Sequence, residues 1–314
     1  MKQKLICIAG PTASGKTALS IALAKQLDTE IISSDSMQLY RGMDIGTAKP
    51  DAAEQDGVVH HMFDVADAGE TFSVAKYQQM ADACAQDILS RGKIPIVCGG
   101  TGLYLDALIE GSVFSGDETN LEAREKYNAI AREQGAHALH EMLRAVDPVS
   151  AQRIHENNVK RVVRALEVYD QTGMTINEWN AKNKRPEPKY DAILFALCPS
   201  DRQMLYDRID RRVDQMAEQG LVAETERLWK GGKLIGTAGQ AIGYKELVPY
   251  LEGRESLETC LDTLKRASRN YAKRQLTWLR RDSRVHWLQY DAPEDFSGIL
   301  QQVTEILSER GVTY

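Results

Sequence analysis

Apolar residues recur along the chain in two alternating rhythms, and their order predicts the architecture. Leu5-Ile6-Cys7-Ile8-Ala9 is a continuous apolar run of the kind buried on both faces of a sheet. From Lys16 to Leu27 the apolar residues Leu19, Ala22, Leu23 and Leu27 fall at the spacing of a helix with one face on that sheet. Glu30-Ile31-Ile32-Ser33-Ser34 predicts a second strand, ending at Asp35. Ser73 is placed to cap a long helix with Tyr77, Met80, Ala81, Cys84 and Ile88 on its apolar side, closed by Gly92. Ile94-Pro95-Ile96-Val97-Cys98 predicts the next strand, running into Gly99-Gly100-Thr101-Gly102. Strand and helix in this alternation predict an open parallel α/β sheet, in which ligands sit at the carboxyl ends of the strands.

From about Asp117 the strand-like runs disappear and helical spacing takes over until Pro186 and Pro188. Asp191 to Cys198 then predicts a return to the sheet, Arg202 to Gln219 a helix, and Val285-His286-Trp287-Leu288 a late strand. The expected organisation is a discontinuous core, residues 1–117 and 190–314, carrying a helical insertion domain at 118–189. At 314 residues, one large domain or a core with an insertion is the natural expectation.

Composition changes this picture little. With 43% hydrophobic and 27% charged residues the chain reads as globular, and no stretch has the apolar length of a membrane span. The short apolar run after Met1-Lys2-Gln3-Lys4 ends in glycine rather than continuing as a signal peptide, so a cytoplasmic protein without a membrane partner is expected. Cys7, Cys84, Cys98, Cys198 and Cys260 form no CxxC pair, so no zinc site and no disulfide framework are expected. His60-His61 with Asp64 has the composition of a metal cluster, but adjacent histidines in a strand face opposite ways, which favours a structural role.

Gly10-Pro11-Thr12-Ala13-Ser14-Gly15-Lys16-Thr17 matches the GxxxxGK[ST] phosphate loop between a predicted strand and helix, the context that gives the pattern its meaning. Its backbone N–H groups, the helix N-terminus and Lys16 converge on an anion, and the Thr17 hydroxyl suits a magnesium ion. A nucleotide hydrolase adds an acid at the end of a second apolar strand. Here that strand ends in Gly-Gly-Thr, and the nearest acid is Asp35. Such a loop would hold a diphosphate without hydrolysing a nucleotide.

Gly10 to Thr17, Asp35-Ser36-Met37-Gln38-Leu39-Tyr40, Gly46-Thr47-Ala48-Lys49-Pro50 and Gly99-Gly100-Thr101-Gly102-Leu103-Tyr104 together resemble the tRNA dimethylallyltransferases. Asn158 to Glu167, Ala241-Ile242-Gly243-Tyr244-Lys245 and Ala272 to Arg280 extend the resemblance over nearly the whole chain. It implies a P-loop NTPase-like parallel sheet core flanked by helices, and transfer of a dimethylallyl group from dimethylallyl diphosphate to N6 of adenosine 37 beside the tRNA anticodon. Diphosphate contacts are then expected from Gly10, Thr12, Ala13, Ser14, Gly15, Lys16 and Thr17, with Mg2+ on Thr17 and a further donor from Thr101. An arginine on the helix after the fourth predicted strand completes the clamp. Arg208 and Arg212 share a helix face there, and Arg208 is the first choice. Asp35 is the expected base for the N6 proton, its other reading being a magnesium or hydroxyl ligand. Gln38 has the carboxamide that matches adenine.

Adenosine 37 must leave its stack to react, so a channel with two mouths is expected, the diphosphate entering on one side and the base on the other. For the anticodon stem-loop, the resemblance implies contacts from 35–38, Thr101, Arg124, Val159, Lys160, Arg161, Val162, Val163, Lys245, Lys273, Arg274 and Gln275. The net charge of −6 opposes RNA binding on average, yet Lys265, Arg266, Arg269, Lys273, Arg274, Arg280, Arg281 and Arg284 stand against Asp282 alone between 265 and 284. That stretch also carries Asn270, Tyr271, Gln275 and Trp278, types that stack on or hydrogen-bond to unpaired bases. Arg164, Lys182, Lys184, Arg185 and Lys189 add charge in and after the insertion. The family's eukaryotic nuclear members carry a C-terminal zinc finger, absent here, so a bacterial-type enzyme acting as a monomer is expected. Three rival readings remain: an adenylate isopentenyltransferase, a P-loop small-molecule kinase, and a non-catalytic tRNA-binding protein.

Overall fold

In the computed structural model, which describes residues 2–111, 121–183, 187–292 and 296–312, the first apolar run becomes an inner strand of a parallel sheet. The strands are β1 (Lys4–Ala9), β2 (Ile31–Ser33), β3 (Tyr40–Arg41), β4 (His60–His61), β5 (Ala66–Asp67), β6 (Ile96–Gly99), β7 (Asp191–Pro199) and β8 (His286–Tyr290). Six of them form one sheet in the order β4-β2-β6-β1-β7-β8, every pairing parallel, and β3 with β5 forms a separate two-stranded ribbon. The sequence pattern did not give β3, β4 or β5, because two-residue strands are too short to show a period.

Alternation along β1 explains how both faces are covered. Ile6 and Ile8 pack with Leu19 and Leu23 of helix Lys16–Gln26 and with Ile299, Val303 and Leu307 of helix Phe296–Glu309. Leu5 and Cys7 face the opposite way, among Tyr77, Ala81 and Ile88 of helix Val74–Ser90 and Leu105 and Leu108 of helix Gly102–Glu110. Ser73 caps Val74–Ser90 by accepting from the Lys76 amide, but Ala85 rather than Cys84 completes its buried stripe, with Met80 and Cys84 only partly covered. None of the described helices is long and apolar enough to cross a membrane.

The chain divides into two compact units, Met1–Gly111 with Pro188–Tyr314, and Ser112–Glu187. Within the second, helices Leu121–Glu133, Gly135–Val146, Pro148–Arg153, Val159–Thr172 and Ile176–Asn183 surround a core that includes Tyr127, Leu139, Leu143, Val162, Val163 and Leu166. Glu167 is fully buried beside that core and accepts from Arg124 Nε at 3.3 Å and Nη2 at 2.9 Å, with Arg164 at 3.4 Å. A buried carboxylate needs such partners, because its desolvation is otherwise costly. Lys184, Arg185 and the expected boundary at 117/118 lie outside the described residues.

Histidines 60 and 61 go to different partners. His60 Nδ1 lies 2.9 Å from the Val58 carbonyl and its ring stacks on Phe63, while His61 Nε2 lies 2.7 Å from Glu30. Cys84 and then Glu30 stabilise the imidazolium of His61, pushing its pKa up to about 9, and Asp64 pairs instead with Lys49 at 2.6 Å. These are structural contacts.

The segment 42–50 is fixed by Glu224 from helix Leu221–Lys230. Its carboxylate accepts from the backbone amides of Asp44, Ile45 and Gly46 at 3.0–3.1 Å and from the Tyr244 hydroxyl at 2.7 Å. Burial, followed by the Glu224 charge, pushes the Tyr244 pKa well up, so that hydroxyl stays a donor. Glu224→Ala would strand these donors, at a cost of about 3 kcal/mol, and should lower Tm by roughly 6–12 °C in a thermal melt. A shift below about 2 °C would mean that water replaces the carboxylate.

Candidate active site

The phosphate loop leaves β1 at Ala9 and turns into helix Lys16–Gln26 at Gly15, whose φ of 92° lies in the left-handed region. Side chains from distant segments hold it. Arg208 Nε donates to the Ala13 carbonyl at 2.8 Å, Arg212 Nη1 donates to the Thr12 hydroxyl at 3.1 Å, and the Tyr290 hydroxyl donates to the Ser14 carbonyl at 2.8 Å. The Ser14 hydroxyl is buried with no partner among the described residues. Lys16 Nζ donates to the Pro11 carbonyl at 3.4 Å. Burial pushes the Lys16 and Arg212 pKa values down, the negative charge of Asp35 working against that for both. Cations sheltered in this way and short of counter-charge favour an anion between them.

Two cavities meet at Arg212. A cavity of about 590 Å³ is lined by Gly15, Lys16, Thr17, Arg208, Arg211 and Arg212, with Glu54 on its wall. The lining of a second, of about 250 Å³, includes Thr12, Asp35, Ser36, Met37, Arg212, Lys245, Tyr271 and Arg274. Arg212 and Met216, one turn apart on helix Arg202–Glu218, border both. Either arginine reaches the loop, but in this pair of cavities Arg212, and not the first choice Arg208, faces both. That helix follows the fifth strand of the main sheet rather than the fourth, because β4 joins the sheet unannounced.

Asp35 follows β2 with its carboxylate anchored at one end. Oδ1 accepts from the Met37 amide at 2.8 Å and the Gln38 amide at 3.4 Å. The Thr101 hydroxyl accepts from the Ser36 amide at 3.2 Å and lies 3.4 Å from the Ser36 hydroxyl. Burial, and then the Asp35 charge, pushes Tyr271 up to about 12, so its phenol stays protonated through neutral pH.

Two carboxamides assigned to RNA by their residue type are committed elsewhere. Gln38 accepts from the Ser33 hydroxyl at 3.2 Å and donates to the carbonyls of Thr47 and Ala48 at 3.3 and 3.1 Å. Gln275, 5% exposed, accepts from the Thr12 amide at 2.9 Å and donates to the Gly100 carbonyl at 3.0 Å. Both ends of each amide are therefore satisfied within the protein. Trp278 likewise donates to Asp106 at 3.0 Å. A Cβ at Gly100 would stand 2.0 Å from Gln275, and one at Gly102 2.2 Å from Trp278, so glycine is what lets helix Leu257–Leu279 close on this turn.

The basic stretch is less bare than its composition suggests. Lys265 pairs with Asp214 at 2.6 Å, Arg269 with Asp210 at 2.5 Å, and Arg284 with Asp282 at 2.8 Å. Lys273 and Arg274 are exposed, lying over the rings of Tyr206 and Tyr271. Lys245 donates to the Gln240 carbonyl at 3.1 Å. In the insertion, Lys160 and Arg161 are exposed on the first turn of helix Val159–Thr172. Val159 is partly covered, and Val162 and Val163, 0% and 3% exposed, belong to the insertion core, which corrects their expected place on an RNA surface. The guanidinium of Arg124 is taken by Glu167. Sequence reading missed Glu224, Asp210 and Asp214. Acidic residues on helices carry no signal of the distant segment that they hold.

Comparison with known proteins gives the family. The family model described as IPP transferase matches residues 38–282, and one described as Isopentenyl transferase matches residues 3–65. The tRNA dimethylallyltransferase of Geobacillus thermodenitrificans is 48% identical over 303 residues, covering 96% of each chain. The solved full-length tRNA isopentenylpyrophosphate transferase of Bacillus halodurans superposes with a TM-score of 0.73 at 44% identity, covering 99% of this chain and 98% of that one. A solved eukaryotic dimethylallyltransferase acting on tRNA gives a TM-score of 0.82 at 30% identity, covering 98% of this chain and 79% of that one. With the family model spanning most of the chain and relatives this similar along nearly its full length, the chain belongs to the tRNA dimethylallyltransferase, or IPP transferase, family.

Proposed function

We propose that the protein transfers a dimethylallyl group from dimethylallyl diphosphate to N6 of adenosine 37 beside the tRNA anticodon, releasing diphosphate. The observation that carries this reading is that Asp35 borders one cavity with Arg212, which also borders the cavity of the phosphate loop. Donor and acceptor would meet there. The bond from the allylic carbon to the diphosphate oxygen breaks as the bond from N6 forms, and the N6 proton passes to Asp35. Lys16, Arg208, Arg212 and the loop amides stabilise negative charge on the departing group, in place before the reaction begins. The hydroxyl of Thr17 lines the loop cavity and suits Mg2+, which takes one or two protein oxygens and fills its shell with phosphate oxygens and water. When bound, that ion would neutralise further charge on the diphosphate.

Asp35 is suited to the base because its amide contacts fix one carboxylate oxygen and hold the group at the cavity wall. The exposed cations Lys273 and Arg274 and, in the insertion, Lys160 and Arg161 are the best candidates for RNA phosphates. A tRNA substrate would place the enzyme in the cytoplasm. Among the rivals, a kinase gains no support, since β6 ends at Gly99 without an acid. Radiolabelled dimethylallyl diphosphate and magnesium, offered in parallel with unmodified tRNA, AMP and ATP, should label tRNA alone. Label in AMP or ATP only, or in none, would overturn the reading.

Replacing Asp35 with Asn keeps an oxygen for the Met37 amide but removes the base. Transfer should fall by about 10²–10⁴-fold in single-turnover assays while tRNA binding persists. Activity within about threefold of wild type would assign the proton to another group. Arg274→Ala should weaken tRNA binding and reduce the slope of log K against log salt by about 0.7–0.9, the loss of one phosphate contact. An unchanged slope would place the RNA elsewhere.

A further inference from the structure

The cavity that Asp35 borders also carries apolar side chains in its lining, and nothing in the chemistry at Asp35 requires them. Ile209, Val213 and Met216 from helix Arg202–Glu218, Ile242 from the loop after Gln240, and Leu264 from helix Leu257–Leu279 are this apolar part of the lining. Val213, Met216 and Leu264 are 3%, 8% and 2% exposed and continue into a packed cluster with Leu221, Leu247 and Cys260. Close-packed side chains back Val213, Met216 and Leu264, so a longer guest that passes beyond them has to displace them.

Arg212 and Met216 are four residues apart on one helix face, and both border the two cavities. Arg212 is bound to the phosphate loop through Thr12. A diphosphate held there delivers its chain one turn along the helix, about 5–6 Å away, beside Met216. That distance is of the same order as the reach of a five-carbon allyl chain. A ten-carbon chain would need about two turns, and the second is filled by the cluster behind Met216 and Leu264.

We propose that Met216, backed by Val213 and Leu264, is the stop that limits the donor to a five-carbon chain, with Arg212 as the fixed end of the measure. This rests on the transferase reading above and adds to it the residue that sets the donor's length. Met suits the role, since its unbranched side chain fills an irregular gap and is removed without introducing a polar group.

The test compares dimethylallyl diphosphate with geranyl diphosphate, each offered with magnesium and unmodified tRNA, and reads the ratio of kcat/KM for the two donors from the mass of the modified nucleoside. Wild type should prefer the five-carbon donor by about 100-fold or more. Met216→Ala should raise the relative use of the ten-carbon donor by about tenfold or more, whereas Met216→Leu, which conserves volume, should shift it by less than about threefold. Thermal melts of each variant report whether it folds. If Met216→Ala does not, Val213→Ala and Leu264→Ala widen the same wall and carry the same expectation. A ratio that stays put in a folded, active variant overturns the proposal, as does a wild type that uses both donors equally. Wild type that transfers neither donor to tRNA would instead fail the transferase reading, so the two failures are separable.

Discussion

The close approach of helix Leu257–Leu279 to two strand-end turns is the constraint on which the site depends. Gln275 spans the gap between the Thr12 amide and the Gly100 carbonyl, and Trp278 lies against Gly102 while donating to Asp106. The first turn of the phosphate loop is thereby tied to the turn that follows β6. A buried carboxamide with both ends bonded is expensive to disturb, since freeing either partner leaves an unsatisfied backbone group. The glycines at 100 and 102 follow from this packing. So does the position of Thr101, whose hydroxyl orders Ser36 next to Asp35.

The same helix shows how an acidic protein presents a basic surface without a uniform positive field. Asp210 and Asp214, a turn apart on helix Arg202–Glu218, pair with Arg269 and Lys265 on the helix packed against it. The exposed cations on the helix include Arg266, Lys273 and Arg274, with Arg274 on the cavity wall. Paired charges fix how the helices meet. The unpaired ones are left to attract phosphate, and their effect is sensitive to salt.

Much of the fold was legible because its signals are local. The run at β1, the glycine-rich loop and the following helix lie within some two dozen residues, and the structure has each of them where the pattern put it. The same holds for β2, β6, β7 and the helix capped by Ser73. The two-residue strands β3, β4 and β5 were not legible, since two residues are too few to show a period. Site residues divided in the same way. Asp35 and the loop were placed by position, at strand ends. Gln38 and Gln275 were read by residue type and Val162 by the resemblance, and neither says whether a carboxamide faces a base or a backbone, or whether a valine faces solvent or core.

The strand order carries a consequence for the order in which the protein takes shape. β1 is made first, but its neighbours are β6, some 90 residues on, and β7, about 190 residues on. Until β7 leaves the ribosome, one edge of β1 has no partner, and the loop that follows it lacks Arg208, Gln275 and Tyr290. The helices between Leu121 and Asn183 depend on contacts near in sequence and can form while the sheet waits. Synthesis from one end thus delays the phosphate loop, the earliest motif in the chain, until almost the last strand is in place, and leaves a β-edge open to wrong pairing in the interval.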